Sequence, residues 1–379
     1  MLWFQLLWWL SILLADSARW PVLLLLSAIS CVGFIMLFSV SGGDIDRWAQ
    51  PQMKRFFIGM TGLIAVAMVP IRFWRGMALP AYLFGIALLI WVQLFGVTVN
   101  GAARWIEIGS TRLQPSEVMK IALILMLAAF YDWLPVEKAS RPLWVIVALV
   151  IILLPVALIL KQPDLGTSLL LVMGGGAMML VAGVHWLYFA GLFATAGGLV
   201  AAVFLGRDTP WQLLKNYQYD RIDVLLNPGS DALGKGYNII QAQIALGSGG
   251  WSGRGFMQGT QSRLNFLPEK HTDFIFTILA EEFGFVGTIS LLVLYSLVLV
   301  FCIASAMGSR DRFGALLTMG IGATFFLFFS VNMAMVMGMI PVVGVPLPLV
   351  SYGGTAMMIL LLGFGLMQSA HVHRPRTKS

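Results

Sequence analysis

Residues 142–160 read PLWVIVALVIILLPVALIL, a run of nineteen positions without one charged side chain. At about 1.5 Å of rise per residue, a helix of that length matches the ~30 Å hydrocarbon core of a bilayer. Lipid offers the backbone no hydrogen-bond partners, so such a run must satisfy its own amides, and a helix does this within one segment. Working outward, similar runs lie near 20–40, 56–71, 78–97, 118–131, 166–184, 186–205, 284–305, 314–338 and 349–369. The pattern predicts an all-α, polytopic membrane bundle of about ten spanning helices, forming one domain over 1–379. The runs are continuous rather than alternating, which excludes an outer-membrane barrel. Composition agrees: 59% of residues are hydrophobic and 11% charged, against about a quarter charged in soluble domains.

Residues 1–14 (MLWFQLLWWLSILL) lack a basic start and are followed by Asp16 and Arg19. They read as a Trp-rich interfacial helix rather than a cleaved leader. Cys31 and Cys302 both lie in apolar runs, which suits packing and not a disulfide framework. The net charge of +7 suits anionic headgroups or a phosphate-bearing substrate; with no soluble basic domain, nucleic acid is not an expected partner.

With a cytoplasmic N-terminus, the inner loops carry Arg72, Arg75, Lys138, Arg141, Arg310 and Arg312, and the tail adds Arg374, Arg376 and Lys378. The outer segments carry Arg47, Lys54, Arg55, Arg104, Arg112, Lys120 and Lys161, so the positive-inside bias is slight. Cations kept on the disfavoured side suggest a task there, such as binding a polyanion. The one long loop, about 206–272, falls on that outer side, and loops of such length are usually functional or disordered. Within it, residues 237–246 have helical spacing and could lie flat on the membrane. The glycine-rich stretch 247–259 either cradles a phosphate or permits tight turns. Gly174, Gly175 and Gly176 read as close helix packing.

A charge at the centre of a spanning helix costs about 2.5–3.5 kcal/mol on insertion scales, so each needs a partner or a purpose. Glu117 and Lys120 are three residues apart, on one helical face within pairing distance. Asp164, in Gln162-Pro163-Asp164-Leu165-Gly166, is placed to cap the next helix, and Asp273 opens another run where an Asp is ordinarily a cap. Glu281 and Glu282 are adjacent acids that should face a cavity, a cation or each other. His271 lies on the outer side and His371 and His373 on the inner, so they cannot share a metal.

Five blocks then resemble one family in order: Gly101-Ala102-Ala103-Arg104-Trp105-Ile106; Arg112-Leu113-Gln114-Pro115-Ser116-Glu117 with Lys120; Gln162 to Thr167; Phe266 to Phe276, which contains Pro268-Glu269-Lys270-His271-Thr272-Asp273; and Pro346 to Gly354. The chain resembles the SEDS proteins (shape, elongation, division and sporulation) almost throughout. Residues 339–348 look like the elongation branch, RodA, more than the division branch, FtsW. Asn265 stands where relatives often carry an acid, so a carboxylate requirement there is in doubt.

The resemblance implies a peptidoglycan glycosyltransferase of the bacterial cytoplasmic membrane. It would polymerise lipid II by inverting transfer on the extracytoplasmic face, release undecaprenyl pyrophosphate and work with a class B penicillin-binding protein that cross-links the product. It implies Asp273 as general base, with Lys120 and Glu117 beside it. A Lys about 4 Å from Asp273 would gain roughly 4 kcal/mol before desolvation, enough to keep the carboxyl ionised. Arg55, Arg104, Arg112 and Lys270 are the candidate pyrophosphate ligands, with Gln114, Asp164 and His271 as further substrate contacts. No cofactor is required, although a Mg²⁺ or Mn²⁺ ion bridging pyrophosphate to Asp164 or Asp273 is chemically reasonable. The competing classes are a lipid II flippase or other lipid transporter, and a non-catalytic membrane scaffold for the cross-linking enzyme.

Overall fold

The computed structural model describes residues 20–99, 102–109, 111–207, 209, 212, 219, 223, 229, 237–264, 266, 267 and 269–373. The expected interfacial helix at 1–14 and the departure at Asn265 lie outside the described residues. Every one of the ten apolar runs is found in a helix. These are α1 (Trp20–Val40), α2 (Ala49–Met68), α4 (Ala78–Phe95), α5 (Pro115–Trp133), α6 (Pro142–Leu160), α7 (Leu165–Val181), α8 (Trp186–Leu205), α11 (Ile275–Met307), α12 (Arg312–Val336) and α13 (Gly354–Val372). Among the described residues there are also the short helices α3 (Ile71–Gly76), α9 (Tyr237–Ser248) and α10 (Thr260–Arg263) and a 3-10 turn at Val136–Lys138. Among the described residues, seven helices are long and apolar enough to cross a membrane. The other three share the bundle: α2 carries Lys54 and Arg55, α5 carries Glu117, Lys120 and Asp132, and α7 has 17 residues. The molecule is a multi-pass membrane protein.

Helix α6 shows how sequence sets orientation in lipid. Val145, Ala148, Ile152, Val156 and Ile159 form a buried stripe at helical spacing, while Leu143, Ile146, Val150 and Leu153 face outward. Polar side chains cannot mark the outer face here, because the solvent there is hydrocarbon. The α2–α13 seam depends on small residues. A Cβ at Gly59 would lie 2.6 Å from a Leu361 methyl, and one at Gly365 would lie 2.7 Å from the Leu63 carbonyl oxygen. Of the three central glycines of α7, Gly175 makes the tight approach, 2.6 Å from Ile152. At the far end of the bundle, Arg75 pairs with Asp132 at 3.3 Å and with Asp311, tying α3 to α5 and α12.

One small sheet interrupts the helices. β1 (Val97–Val99), β2 (Ala102–Ile108) and β3 (Thr111–Leu113) are antiparallel in that order, with Val97 opposite Trp105 and Glu107 opposite Arg112.

The glycine-rich stretch is a packing device, not a phosphate cradle. Helix α11 breaks at Gly284, whose φ of 63° and ψ of −157° only glycine adopts readily. The break orphans backbone groups, and residues 250–255 take them up. Arg254 and Gly255 amides donate to the Glu281 and Glu282 carbonyls at 2.9 and 3.0 Å, while Phe285 and Val286 amides donate to Gly250 and Trp251 at 2.9 and 3.1 Å. Gly253 is required for the approach, since its Cβ would lie 2.1 Å from the Glu282 oxygen. Helix α9 buries Ile239, Ala242 and Ala245 and packs on α11 rather than lying free on the surface.

Residues 341–353, between α12 and α13, are not helical, and from Val345 to Ser351 they are largely buried; Val345, Leu347, Leu349 and Val350 are nearly inaccessible. Irregular backbone among apolar helices needs side-chain partners. Gln52 Nε2 donates to the Ser351 carbonyl at 3.0 Å, Tyr295 Oη to that of Pro348 at 2.8 Å, and Asn332 Nδ2 to that of Val345 at 2.7 Å.

Candidate active site

At the loop-rich end lies a cavity of about 670 Å³. Of the expected site residues, Arg104, Arg112, Gln114, Glu117, Lys120, Asp164, His271 and Asp273 line it, and Trp48, Glu269, Phe328, residues 344–346 and residues 352–356 are among the others in its wall. Arg55 lies behind that wall, its guanidinium 4.8 Å from the Tyr352 ring centre. Lys270 turns away, into a second cavity of about 520 Å³ that it lines with Arg47, Arg263 and Glu269. Trp48 and His271, stacked at 4.2 Å, border both cavities. Burial and the neighbouring Arg47 lower the pKa of Lys270, and burial likewise lowers that of His271.

Asp273 does not cap. The residue at the start of α11 is Phe274, which makes no side-chain cap, so the Asp273 carboxylate is left to the cavity. Burial first, and the charge of Glu269 second, raise its pKa to about 6 against the bond from the Thr272 hydroxyl.

What the sequence did not reveal is how tightly this residue is held. Three successive carbonyls are each tethered by the distant loop and α12: Tyr352 N–H donates to His271 at 2.8 Å, Ser351 Oγ donates to Thr272, and Asn332 Nδ2 donates to Asp273 at 2.9 Å. Gly344, at φ 69°, brings loop backbone beside the carboxylate, where a Cβ would lie 3.7 Å from Asp273 Oδ2. Asn332 thus joins both segments through one amide group. Asn332→Leu should strand two buried acceptors at about 1–3 kcal/mol each. Thermal unfolding of the purified variant should show a clear loss of stability; an unchanged midpoint would mean that the bridge carries no load.

The expected Lys120–Asp273 pair is not formed. Lys120 Nζ lies 2.7 Å from Glu117 Oε1 and 4.1 Å from the Phe328 ring centre, and both charged groups are buried. The local i, i+3 partner wins because one helix turn holds it in reach. Asp164 caps α7: its oxygens accept from the Thr167 amide at 3.1 Å and hydroxyl at 2.9 Å, and from Gln114 Nε2 at 3.4 Å. Arg104 donates to the Gln162 and Pro163 carbonyls, and Arg112 pairs with Glu107 at 3.1 Å across β2 and β3.

Among the described residues Glu281 and Glu282 form no ion pair, and each is held by hydrogen-bond donors instead. Glu281 Oε1 accepts from the Thr260 amide at 2.7 Å, its hydroxyl at 2.9 Å and the Gln261 amide at 3.1 Å, capping α10 from a distance. Glu282 accepts from Ser39 Oγ. No group of three or more His, Cys, Asp or Glu among the described residues is arranged to hold a metal by itself.

Comparison with known proteins agrees with this architecture. The chain is 42% identical to peptidoglycan glycosyltransferase MrdB of Escherichia coli K12, over 93% of each sequence. It superposes with a TM-score of 0.80 and 30% identity on a chain of a peptidoglycan synthase complex described as coordinating polymerization and crosslinking, covering 94% of this chain and 98% of that one. The rod shape determining protein RodA of Thermus thermophilus superposes with a TM-score of 0.71 and 27% identity, over 95% and 99%. A family model for the cell cycle proteins FtsW, RodA and SpoVE matches residues 19–376, and the chain belongs to that family.

Proposed function

We propose that the chain is a peptidoglycan glycosyltransferase that polymerises lipid II into glycan strands at the outer face of the bacterial cytoplasmic membrane, beside a cross-linking class B penicillin-binding protein. The observation that carries this reading is Asp273, a braced and partly buried carboxylate spent on no cap or ion pair, in a cavity flanked by cations. The similarity to a chain of a synthase complex supports the cross-linking partner.

The chemistry follows from these groups. Asp273 takes the proton of an acceptor sugar hydroxyl; the hydroxyl oxygen bonds to the anomeric carbon of the donor with inversion, and the bond from that carbon to the lipid pyrophosphate breaks. The leaving group departs as an anion, so it needs positive charge and not a second acid. With Lys120 committed to Glu117, Asp273 keeps a raised pKa and is a stronger base than a paired carboxylate. Two lipid-linked substrates must meet at one base, and two cavities sharing the Trp48–His271 wall suit that need. Of the two carboxylates offered to a Mg²⁺ or Mn²⁺ ion, Asp164 is already bonded to Thr167 and Gln114. Asp273 with phosphate oxygens fits the sparse protein ligation such ions accept, and the ion would supply charge neutralisation.

A lipid carrier would instead need polar groups strung between the two ends of the bundle. That interval is filled by buried Leu123, Leu127, Ile321, Phe325 and Phe364, and Arg75, Asp132 and Asp311 at the far end bond to one another.

The purified chain with its cross-linking partner, given lipid II in detergent, should make long glycan strands; lipid transport into sealed vesicles without strands would overturn the reading. The base must be ionised, so activity should be lost as pH falls through about 6. Below that value the rate should drop about tenfold per pH unit, and above it a plateau should follow. A flat profile between pH 5 and 8 would exclude a single carboxylate base of this kind.

A further inference from the structure

The α13 N-terminus opens into the same cavity as Asp273: Gly353, Gly354, Thr355 and Ala356 all line it. The first amides of a helix have no acceptor within the helix and carry a partial positive charge. In α13 nothing local answers them, because the N-cap Gly353 has no side chain and the first turn holds no acid. Of the other three helices that begin at this cavity, α11 follows the Asp273 carboxylate directly, and the remaining two carry their own acid. Asp164 caps α7, and α5 carries Glu117 in its first turn.

Two further observations point to a ligand. Among the described residues Thr355 Oγ1 has no hydrogen-bond partner, although the residue is only 9% exposed. A buried hydroxyl in that state has given up its water without compensation unless something binds it. Arg55 supplies a full charge directly behind this turn: a Cβ on Gly354 would lie 3.6 Å from its Cζ, and its buried Nη1 has no hydrogen-bond partner among the described residues. Stacking on Tyr352 fixes the guanidinium plane. Helix amides, a hydroxyl and a guanidinium together form a phosphate-binding set.

We infer that the first turn of α13, with Thr355 Oγ1 and Arg55, is the seat of the lipid pyrophosphate, holding its oxygens as the bond to the anomeric carbon breaks. This rests on the polymerase reading and extends it to residues 353–356. Of the four carboxylates lining the cavity, Glu117 is paired with Lys120, Asp164 accepts from the Thr167 amide and hydroxyl, Glu269 accepts from the Thr272 hydroxyl, and Asp273 is the proposed base itself.

The test uses the full chain in lipid nanodiscs and measures binding of undecaprenyl pyrophosphate and undecaprenyl monophosphate. Gly353→Asp would install a capping carboxylate at a position whose φ of −150° any residue adopts. It should leave the melting temperature unchanged or raised while weakening pyrophosphate binding at least tenfold. Gly353→Asn, a neutral cap, should weaken it less. Thr355→Val should weaken it about threefold or more, and Thr355→Ser should restore it. Pyrophosphate affinities within twofold of the parent chain in both Gly353→Asp and Thr355→Val would overturn the assignment. So would inorganic pyrophosphate competing as well as the lipid, which would place the ligand in solution. Absence of glycan strands from the parent chain is a separate result: it would remove the polymerase reading and leave the binding data standing.

Discussion

Asp273→Asn should cut lipid II polymerisation by about 10²–10⁴-fold, the usual contribution of a positioned general base, with the protein intact. The substitution keeps shape and removes only the proton acceptor. Stability should hold or rise at pH 8, and the sign follows from linkage. Burial raises the folded pKa of Asp273 from 3.8 to about 6, so the native state holds this proton more tightly than the unfolded chain does. Its contribution to stability is therefore greatest below about pH 4 and declines as pH rises through 6. Asparagine has no such dependence and escapes the burial penalty of the charged form. Strand length on gels and thermal melts at pH 5 and pH 8 read both effects. Strands made at the parental rate would remove Asp273 from the chemistry.

The second large effect concerns Glu117 and Lys120, buried together at 2.7 Å. Lys120→Met leaves a carboxylate in an apolar wall, and Glu117→Gln leaves an ammonium over Phe328 with a weaker partner. Losing one member of a buried pair costs about 3–5 kcal/mol, whereas replacing both with neutral groups is often nearly neutral. The double variant Glu117→Gln, Lys120→Met should accordingly recover most of the stability lost by Lys120→Met. Polymerisation should stay at least tenfold down, because the cation facing the cavity is gone. If the double variant regained full activity along with its fold, the pair would be structural only.

Much of this was legible in the chain because its constraints are local. Ten apolar runs pointed to helices in lipid, and each is found in one, although the last is helical only from Gly354. The Glu117–Lys120 pair and the Asp164 cap each span three residues, so spacing alone revealed both. Misreadings came where distant segments meet. The Lys120–Asp273 pair was expected because both are site residues, yet nothing in the sequence reports which partner lies nearer. Glu281 reaches an acceptor role through Thr260 and Gln261, twenty residues back. Asn332 looks like one polar residue in an apolar run, and its work for Asp273 appears only when a contact across 59 positions closes. The glycines of 249–259 make sense only once Gly284 is known to break α11.

The buried segment 345–352 touches the strap bearing Asp273 through Tyr352 and Ser351, and the next residues open α13. On the proposed reading, proton acceptor and departing diphosphate are therefore gauged by one short piece of covalent chain, like the jaws of a calliper.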